Sequence, residues 1–414
     1  MAEFCNVHVS RYGRWGSEPR MKAETKLAEP QLQVPFHSAD VGEAEAQAAA
    51  DVIRSGWLTM GARTIEFERQ FAEYVGAKHA IAVNSCTAAL HLALEAIHLQ
   101  QGDEVLVPTT TFTATGEVVT YFGAKPVLVD VEPDTLLMSV ADAAARITPK
   151  TKAIIPVHYG GQPCDMDEIL ALAAKHNIHV IEDAAHSLPA SYKGRPVGCI
   201  SEITAFSFYA TKTLSTGEGG MITTGNDDLA ARMRIMRLHG IGRDAWKRYS
   251  AEGSWYYEVL DAGFKYNLTD IAAAIGLVQL GKCDDMNVRR AAVVQRYNDA
   301  FASMNELQVP TTKPDRQSAW HLYPLRFHLD RIKIDRKEVI CQLKDRGIGT
   351  SVHFIPLHLH PYYQSAYGYR RGDLPAAERE YERYVSLPLF PGMTYEQIDH
   401  VIHSVKQIVK ANRR

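Results

Sequence analysis

Two side chains suited to covalent and proton-transfer chemistry stand near the middle of the chain. They are Asp183, in IEDAAHS (181–187), and Lys212, in FSFYATKTLSTGEGG (206–220). Asp183 ends an apolar run, HVIE, which reads as a buried strand. Its carboxylate is therefore expected at a strand's carboxyl end, where open α/β sheets bind their ligands. Lys212 follows a second short apolar strand, which carries Ser207, and precedes a glycine-rich turn. A lysine so placed can face a bound group, and lysine is the side chain that forms Schiff bases with carbonyls. Lysine together with an acid that keeps a pyridine nitrogen protonated is what pyridoxal phosphate (PLP) chemistry requires. Each residue also has an ordinary reading, a solvated surface charge for Lys212 and a turn former or helix cap for Asp183.

Further residues fit the same chemistry. NSCTAAL (84–90) joins a strand to a helix, so backbone N–H groups near Cys86, Thr87 and Ala88 open that helix and can hold a phosphate. The plainer alternative is that Ser85 or Thr87 is only an N-cap. Ser207, five residues before the lysine, can add a hydroxyl to the same phosphate. Phe112, in PTTTFTAT, sits where a strand has just ended and can stack on a pyridine ring, although most phenylalanines are core. His186 lies three residues after Asp183, either to bond the cofactor or to support the aspartate, or else as a satisfied buried histidine. His353, His358 and His360 in VHFIPLHLH have no Cys or carboxylate spacing to complete a metal site, so packing or substrate contacts are expected of them. No G-x-G-x-x-G follows a strand, which leaves a nicotinamide-binding reading without support.

The elements that must position these residues follow from the patterning. Asp40 is placed to cap a helix through VGEAEAQAAADVIRSG, broken at Gly56, and Phe67, Phe71 and Val75 recur at helical spacing up to Gly76. Strands then alternate with helices: HAIAV, DEVLVP, KPVLVDV, KAIIPV, HVIE, AFSF and GGMITT, with helices such as MDEILALAAKH between them. That rhythm predicts a mainly parallel sheet covered on both faces. From about Asp284 a long charged helix and separate β and helical pieces predict a smaller α+β domain. The expected organisation is a poorly ordered leader over 1–33, a large α/β domain over 34–285 and a small α+β domain over 286–414.

Composition sets limits on function. With 414 residues, 46% apolar and 22% charged, the chain reads as a globular protein of more than one unit. Lys and Arg total 45 against 48 Asp and Glu, so no strong field favours nucleic acid or an anionic membrane. Six cysteines without paired spacing suggest neither disulfides nor zinc and fit a cytoplasmic location. No apolar run approaches the roughly 20 residues that span a bilayer.

The runs SGWLTMG, NSCTAALHLAL, PTTTFTAT, VHYGGQPCDMDEI, IEDAAHS, FSFYATKTLSTGEGG, LHGIGRD, GFKYNLTDIAAAIGLVQL, RGIGTSVHFIPLH and LPLFPGMT together resemble the DegT/DnrJ/EryC1/StrS family of PLP-dependent nucleotide-sugar aminotransferases. The resemblance extends from about residue 34 to the end. It implies the type I, aspartate aminotransferase-like PLP fold, with Lys212 in the Schiff base and Asp183 on the pyridinium nitrogen. It further implies Phe112 stacked on the ring and His186 near the ring hydroxyl. Cys86, Thr87 and Ser207 would hold the phosphate. Asn267, in KYNLTD, matches an asparagine that reaches the phosphate across a subunit interface, which implies a homodimer with composite active sites. Tyr209 and Thr213 depart from the family's common His and Asn, and Tyr209 and His353 are expected to touch substrate. The implied reaction is a two-stage transamination from glutamate to a keto-sugar nucleotide, with Arg243 in HGIGRD as candidate for the diphosphate. A UDP-4-keto sugar of an envelope or polysaccharide pathway is the expected acceptor. A sugar dehydratase of the same family would replace Lys212, and a non-catalytic scaffold would tolerate loss of Asp183 or Lys212.

Overall fold

The structure, a computed structural model, describes residues 32–242 and 256–414. Along the chain come α1 (Glu43–Ser55), α2 (Ala62–Val75), β1 (His79–Val83), α3 (Cys86–Ala96), β2 (Glu104–Pro108), α4 (Thr113–Thr120) and β3 (Lys125–Val129). Next are α5 (Val140–Arg146), β4 (Thr151–Ile154), α6 (Met166–His176), β5 (His179–Asp183), β6 (Ser191–Tyr192), β7 (Arg195–Pro196), β8 (Ile203–Ser207), β9 (Gly220–Thr224) and α7 (Asp227–Met236). The remainder is α8 (Asp270–Phe301), β10 (Leu307–Gln308), β11 (Arg316–Gln317), β12 (Tyr323–Phe327), α9 (Arg336–Lys344), α10 (Pro361–Tyr367), α11 (Pro375–Tyr381), β13 (Tyr384–Leu387) and α12 (Tyr395–Asn412).

Seven strands form one sheet in the order β1-β9-β8-β5-β4-β2-β3, with β9 alone running against its neighbours. The expected mainly parallel sheet is therefore present. Alternation along its strands feeds two cores. Ala80 and Ala82 of β1 and Leu106 of β2 enter one, while Ile81, Val83, Val105 and Val107 enter the other. Burial on both faces explains why these strands read as unbroken apolar runs. A second sheet, β10-β12-β13, is antiparallel and packs with α12 around a third core.

Helix α8 serves both regions. Ala273, Leu280 and Cys283 pack in a core of the large sheet, and Val293, Val294, Tyr297 and Phe301 in that of the small one. It begins at Asp270 rather than near Asp284, so the boundary expected at 285 falls inside one continuous helix. Asp40 does not cap α1. That helix starts after Gly42, whose N–H donates to Glu45 Oε2 at 2.9 Å, and Asp40 pairs with Arg289 instead.

Register decides what the sheet edge presents. Val83 and Ser207 both pair with Gly220, while Asp183 pairs with Ala205. The ends of β1, β5 and β8 thus lie along one edge of the sheet, and the loops leaving them share one space.

Candidate active site

Asp183 is 5% exposed, and its two oxygens have separate donors. Thr115 Oγ1 donates to Oδ2 at 2.8 Å, and the Ala185 N–H donates to Oδ1 at 3.1 Å. Burial pushes the carboxyl above its ordinary range, against these bonds and the nearby charge of Lys212. A cationic ring nitrogen beside it would restore full ionisation. Lys212 lines the same cavity, and its ammonium makes no hydrogen bond or ion pair among the described residues. Burial lowers it to about 8, with the Asp183 carboxylate opposing. An amine so tuned is more readily freed of its proton than a surface lysine, which suits it to nucleophilic and base chemistry.

The N-terminus of α3 forms a second wall. Ser85 is its N-cap, with Oγ accepting from the Ala88 N–H at 3.1 Å. The capping reading and the phosphate reading are therefore compatible, because the first-turn amides of Cys86 and Thr87 have no carbonyl behind them within the helix. Burial holds the Cys86 thiol well above its usual range, so it stays neutral. A Cβ on Gly220 would lie 2.7 Å from the Ser85 carbonyl, so only glycine lets β9 run directly against this turn. Ser207 ends β8 level with Gly220 and lines the cavity with Cys86 and Thr87. Backbone amides and hydroxyls at a helix N-terminus are a ready site for a phosphate dianion.

The cavity encloses about 610 Å³ and also takes in Phe112, His186, Tyr209 and His353. Phe112, at the start of α4, is 59% exposed, a large flat surface left open to the cavity. His186 Nδ1 accepts the Gly160 N–H at 3.3 Å, and its ring stacks on Phe354. Burial lowers His353 to about 4, and its Nδ1 lies 3.0 Å from Ser386 Oγ. Asn267 stands apart from the cavity lining. It bridges to Val83, and its buried Oδ1 has no partner. Arg243 lies outside the described residues. Both ring nitrogens of His358 are hydrogen-bonded, Nδ1 with Thr109 Oγ1 and Nε2 with Glu378, and no cluster of metal-ligating side chains occurs among the described residues.

Several lining residues were not singled out from the sequence. Thr115 was visible only as part of PTTTFTAT, with nothing local to aim it at Asp183. His37 Nε2 and His321 Nδ1 are buried in this wall without partners, and burial keeps both rings neutral. Phe354 sits next to the expected His353 and packs on both Phe112 and His186. The donor set of amine, buried carboxylate, amide cradle and open aromatic face fits a phosphorylated pyridine aldehyde.

The model of the DegT/DnrJ/EryC1/StrS aminotransferase family matches residues 39–406. The chain is 52% identical to the protein MJ1066 of Methanocaldococcus jannaschii over 90% of this chain and 97% of that one. It is 48% identical to the spore coat polysaccharide biosynthesis protein SpsC of Bacillus subtilis, over 91% and 97% respectively. Among solved structures, the PLP form of the putative sugar aminotransferase Spr1654 from Streptococcus pneumoniae superposes with a TM-score of 0.86 at 34% identity, covering 92% of this chain and 99% of that one.

Proposed function

This chain belongs to the DegT/DnrJ/EryC1/StrS aminotransferase family and takes pyridoxal phosphate as its cofactor, and we propose that it transfers an amino group from glutamate to a keto-sugar nucleotide. The acceptor we propose is a UDP-4-keto sugar, and the product an aminosugar for an envelope or polysaccharide. The observation that carries this reading is the convergence of Lys212, Asp183 and the α3 amides on one cavity of about 610 Å³. That volume falls within the range of small-molecule sites and leaves room beside a cofactor for a substrate. The likeness to a spore coat polysaccharide biosynthesis protein supports the choice of pathway.

Bound pyridoxal phosphate supplies an electron sink, so that a proton can leave the carbon bearing the amino group. The chain's residues then divide the remaining work. Asp183 keeps its charge against a protonated ring nitrogen, with Thr115 and Ala185 holding its oxygens. Lys212 anchors the cofactor through Nζ, and its freed amine removes the donor's α-proton and returns a proton to the acceptor in the second stage. The amides of Cys86 and Thr87 and the hydroxyl of Ser207 bind the phosphate. Phe112 would cover one face of the bound ring, and His186 would be the residue to donate, from Nε2, to its oxygen. Tyr209 and His353 contact the sugar, and Arg243 the diphosphate.

We propose that the active enzyme is a homodimer in which the Asn267 side-chain N–H donates to the neighbouring subunit's phosphate; within its own chain Nδ2 has only a long bond, 3.4 Å, to the Leu268 carbonyl. A cytoplasmic location suits a nucleotide-linked substrate. No helix among the described residues is long and apolar enough to cross a membrane. A dehydratase would lack an amine at position 212, and Lys212 disfavours it.

The test is an amino-transfer assay with glutamate across a panel of nucleotide-linked 3- and 4-keto sugars, read by mass spectrometry. Formation of one aminosugar nucleotide per 2-oxoglutarate is expected, fastest with UDP-4-keto sugars. Intact reaction with glutamate but no transfer to any keto-sugar nucleotide would overturn the acceptor assignment. For the dimer, mixing inactive Lys212→Ala and Asn267→Ala chains should restore activity once subunits exchange. No recovery after demonstrated exchange would put each site within a single chain.

A further inference from the structure

Glu182 and His158 are both fully buried and ionisable, and neither lines the cavity. Glu182 precedes Asp183 on β5, so strand alternation turns its side chain away from the site. Its Oε2 lies 2.7 Å from His158 Nε2, and its Oε1 accepts from the Ser201 N–H at 3.0 Å, the Ser201 hydroxyl at 2.7 Å and the Thr204 hydroxyl at 3.0 Å. Burial alone would raise this carboxyl, but the bonds from His158, Ser201 and Thr204 bring it below its ordinary range, so it is an anion. Burial lowers His158, but Cys164 and Glu182 together raise it to about 10; against that, the Cys164 backbone N–H donates to Nδ1 at 3.1 Å, a contact that a proton on Nδ1 would break. On that geometry the imidazole carries one proton, on Nε2, directed at Glu182.

This pair anchors a turn that reaches the cavity from outside. The His158 N–H donates to the Asp183 carbonyl at 3.1 Å, and the His158 carbonyl accepts the Gly161 N–H at 3.2 Å. Residues Tyr159–Gly161 then form one tight turn, with Gly160 at φ 66° and Gly161 at φ 104°, the left-handed region that suits glycine. A Cβ on Gly161 would lie 2.8 Å from the Trp320 nitrogen. From this turn the Gly160 N–H meets His186 Nδ1, the Tyr159 hydroxyl donates to the His353 carbonyl, and the Gly160 carbonyl accepts the Leu322 N–H beside His321. One short segment thus touches the His186 ring, the His353 backbone and the residue that follows His321.

The consequence for His186 is specific. An N–H pointing at Nδ1 forbids a proton there, so the neutral ring must carry it on Nε2, the nitrogen left to the cavity. We infer that Glu182 and His158 form a positioning dyad that holds the 159–161 turn, fixes His186 as the Nε2–H tautomer and thereby presents a hydrogen-bond donor beside Asp183. Such a buried charge adds little net stability over well-packed apolar side chains, whereas it does impose one geometry. The inference rests on the active-site reading above, but Glu182 and His158 themselves touch neither cofactor nor substrate.

Glu182→Gln tests it with little change of shape. Its amide keeps an oxygen for Ser201 and Thr204 but turns N–H groups toward His158 Nε2, which then must give up its proton and place it on Nδ1 against the Cys164 amide. In the full chain, with and without PLP, 15N NMR of the histidine rings, assigned with a His186→Gln variant, reads the His186 tautomer directly. Wild type should show Nε2–H alone. The folded Glu182→Gln protein without PLP should show a mixture, and its reaction with glutamate should slow on the order of 10–100-fold in kcat with KM little changed, as expected of a displaced rather than a missing group. His158→Gln, which keeps an N–H for Glu182 but loses the ring acceptor for Cys164, provides the same readouts if the first variant is unstable. A single Nε2–H tautomer in a folded variant would overturn the dyad. An active-site reading that failed on its own would leave the tautomer result standing, so the two outcomes separate.

Discussion

Replacing Thr115 with valine removes one hydroxyl and almost no volume from beneath Asp183. Thr115 is 1% exposed, and its hydroxyl donates to Asp183 Oδ2 at 2.8 Å while accepting from Thr111 Oγ1 at 2.8 Å. A hydrogen bond to a buried anion contributes about 1.5–3 kcal/mol. Its loss should raise the Asp183 carboxyl by a further ~1–2 pKa units, at 1.36 kcal/mol per unit, adding to the rise that burial already causes. On the proposed mechanism the ionised carboxylate is the working form, so the acid limb of the rate profile should move to higher pH. If the whole bond is felt in proton removal, the donor reaction slows roughly 10–150-fold. The assay is single-turnover reaction with glutamate followed by cofactor absorbance, with cofactor occupancy measured on the same samples. Thr115→Ser keeps the donor and should stay within about threefold of the parent. A fully occupied Thr115→Val enzyme reacting as fast as the serine variant would refute the argument that this bond tunes Asp183.

Three further outcomes follow from the same geometry. Asp183→Asn keeps the shape but loses the charge, so PLP should still attach through Lys212 while proton abstraction falls on the order of 10³-fold, about 4 kcal/mol; near-normal turnover would leave the aspartate as a mere cap. In cofactor-free protein, Lys212 should be modified by amine reagents with a midpoint near the value of about 8 that its burial produces, well below an ordinary lysine. Its folded pKa lies below the unfolded one, so the unfolded chain binds the extra proton between those values and stability should rise with pH through that window; a midpoint near 10.5 would contradict the buried amine. Asp270 is 3% exposed and accepts the Gly61, Arg63 and Thr64 amides and the Thr64 hydroxyl, so Asp270→Ala should lower unfolding free energy by about 2–4 kcal/mol, and a denaturation curve unchanged from the parent would show the cap to be idle.

The sequence by itself determined the sheet, the strand that ends on Asp183, the lysine after the next strand and the helix opening at Cys86. These are signals of short range: apolar runs long enough for a strand buried on both faces, and the turn residues that stop them. Family resemblance then supplied the cofactor, which the solved PLP form of Spr1654 carries. Tertiary structure alone decided which distant groups meet. Thr115 reaches Asp183 across 68 residues because β2 and β5 lie on either side of β4 in a sheet whose order no local pattern encodes. Helix α2 begins after Gly61, which has no side chain to cap it, and is capped by Asp270 from the far end of the domain sequence. Glu182 reads as one more polar residue at a strand end, yet it is the centre of a buried network because the opposite face of β5 is also covered. Periodicity tells which face of an element is apolar. Only the packed chain determines what lies against that face, because such contacts arise from sheet order and register rather than from neighbours in sequence.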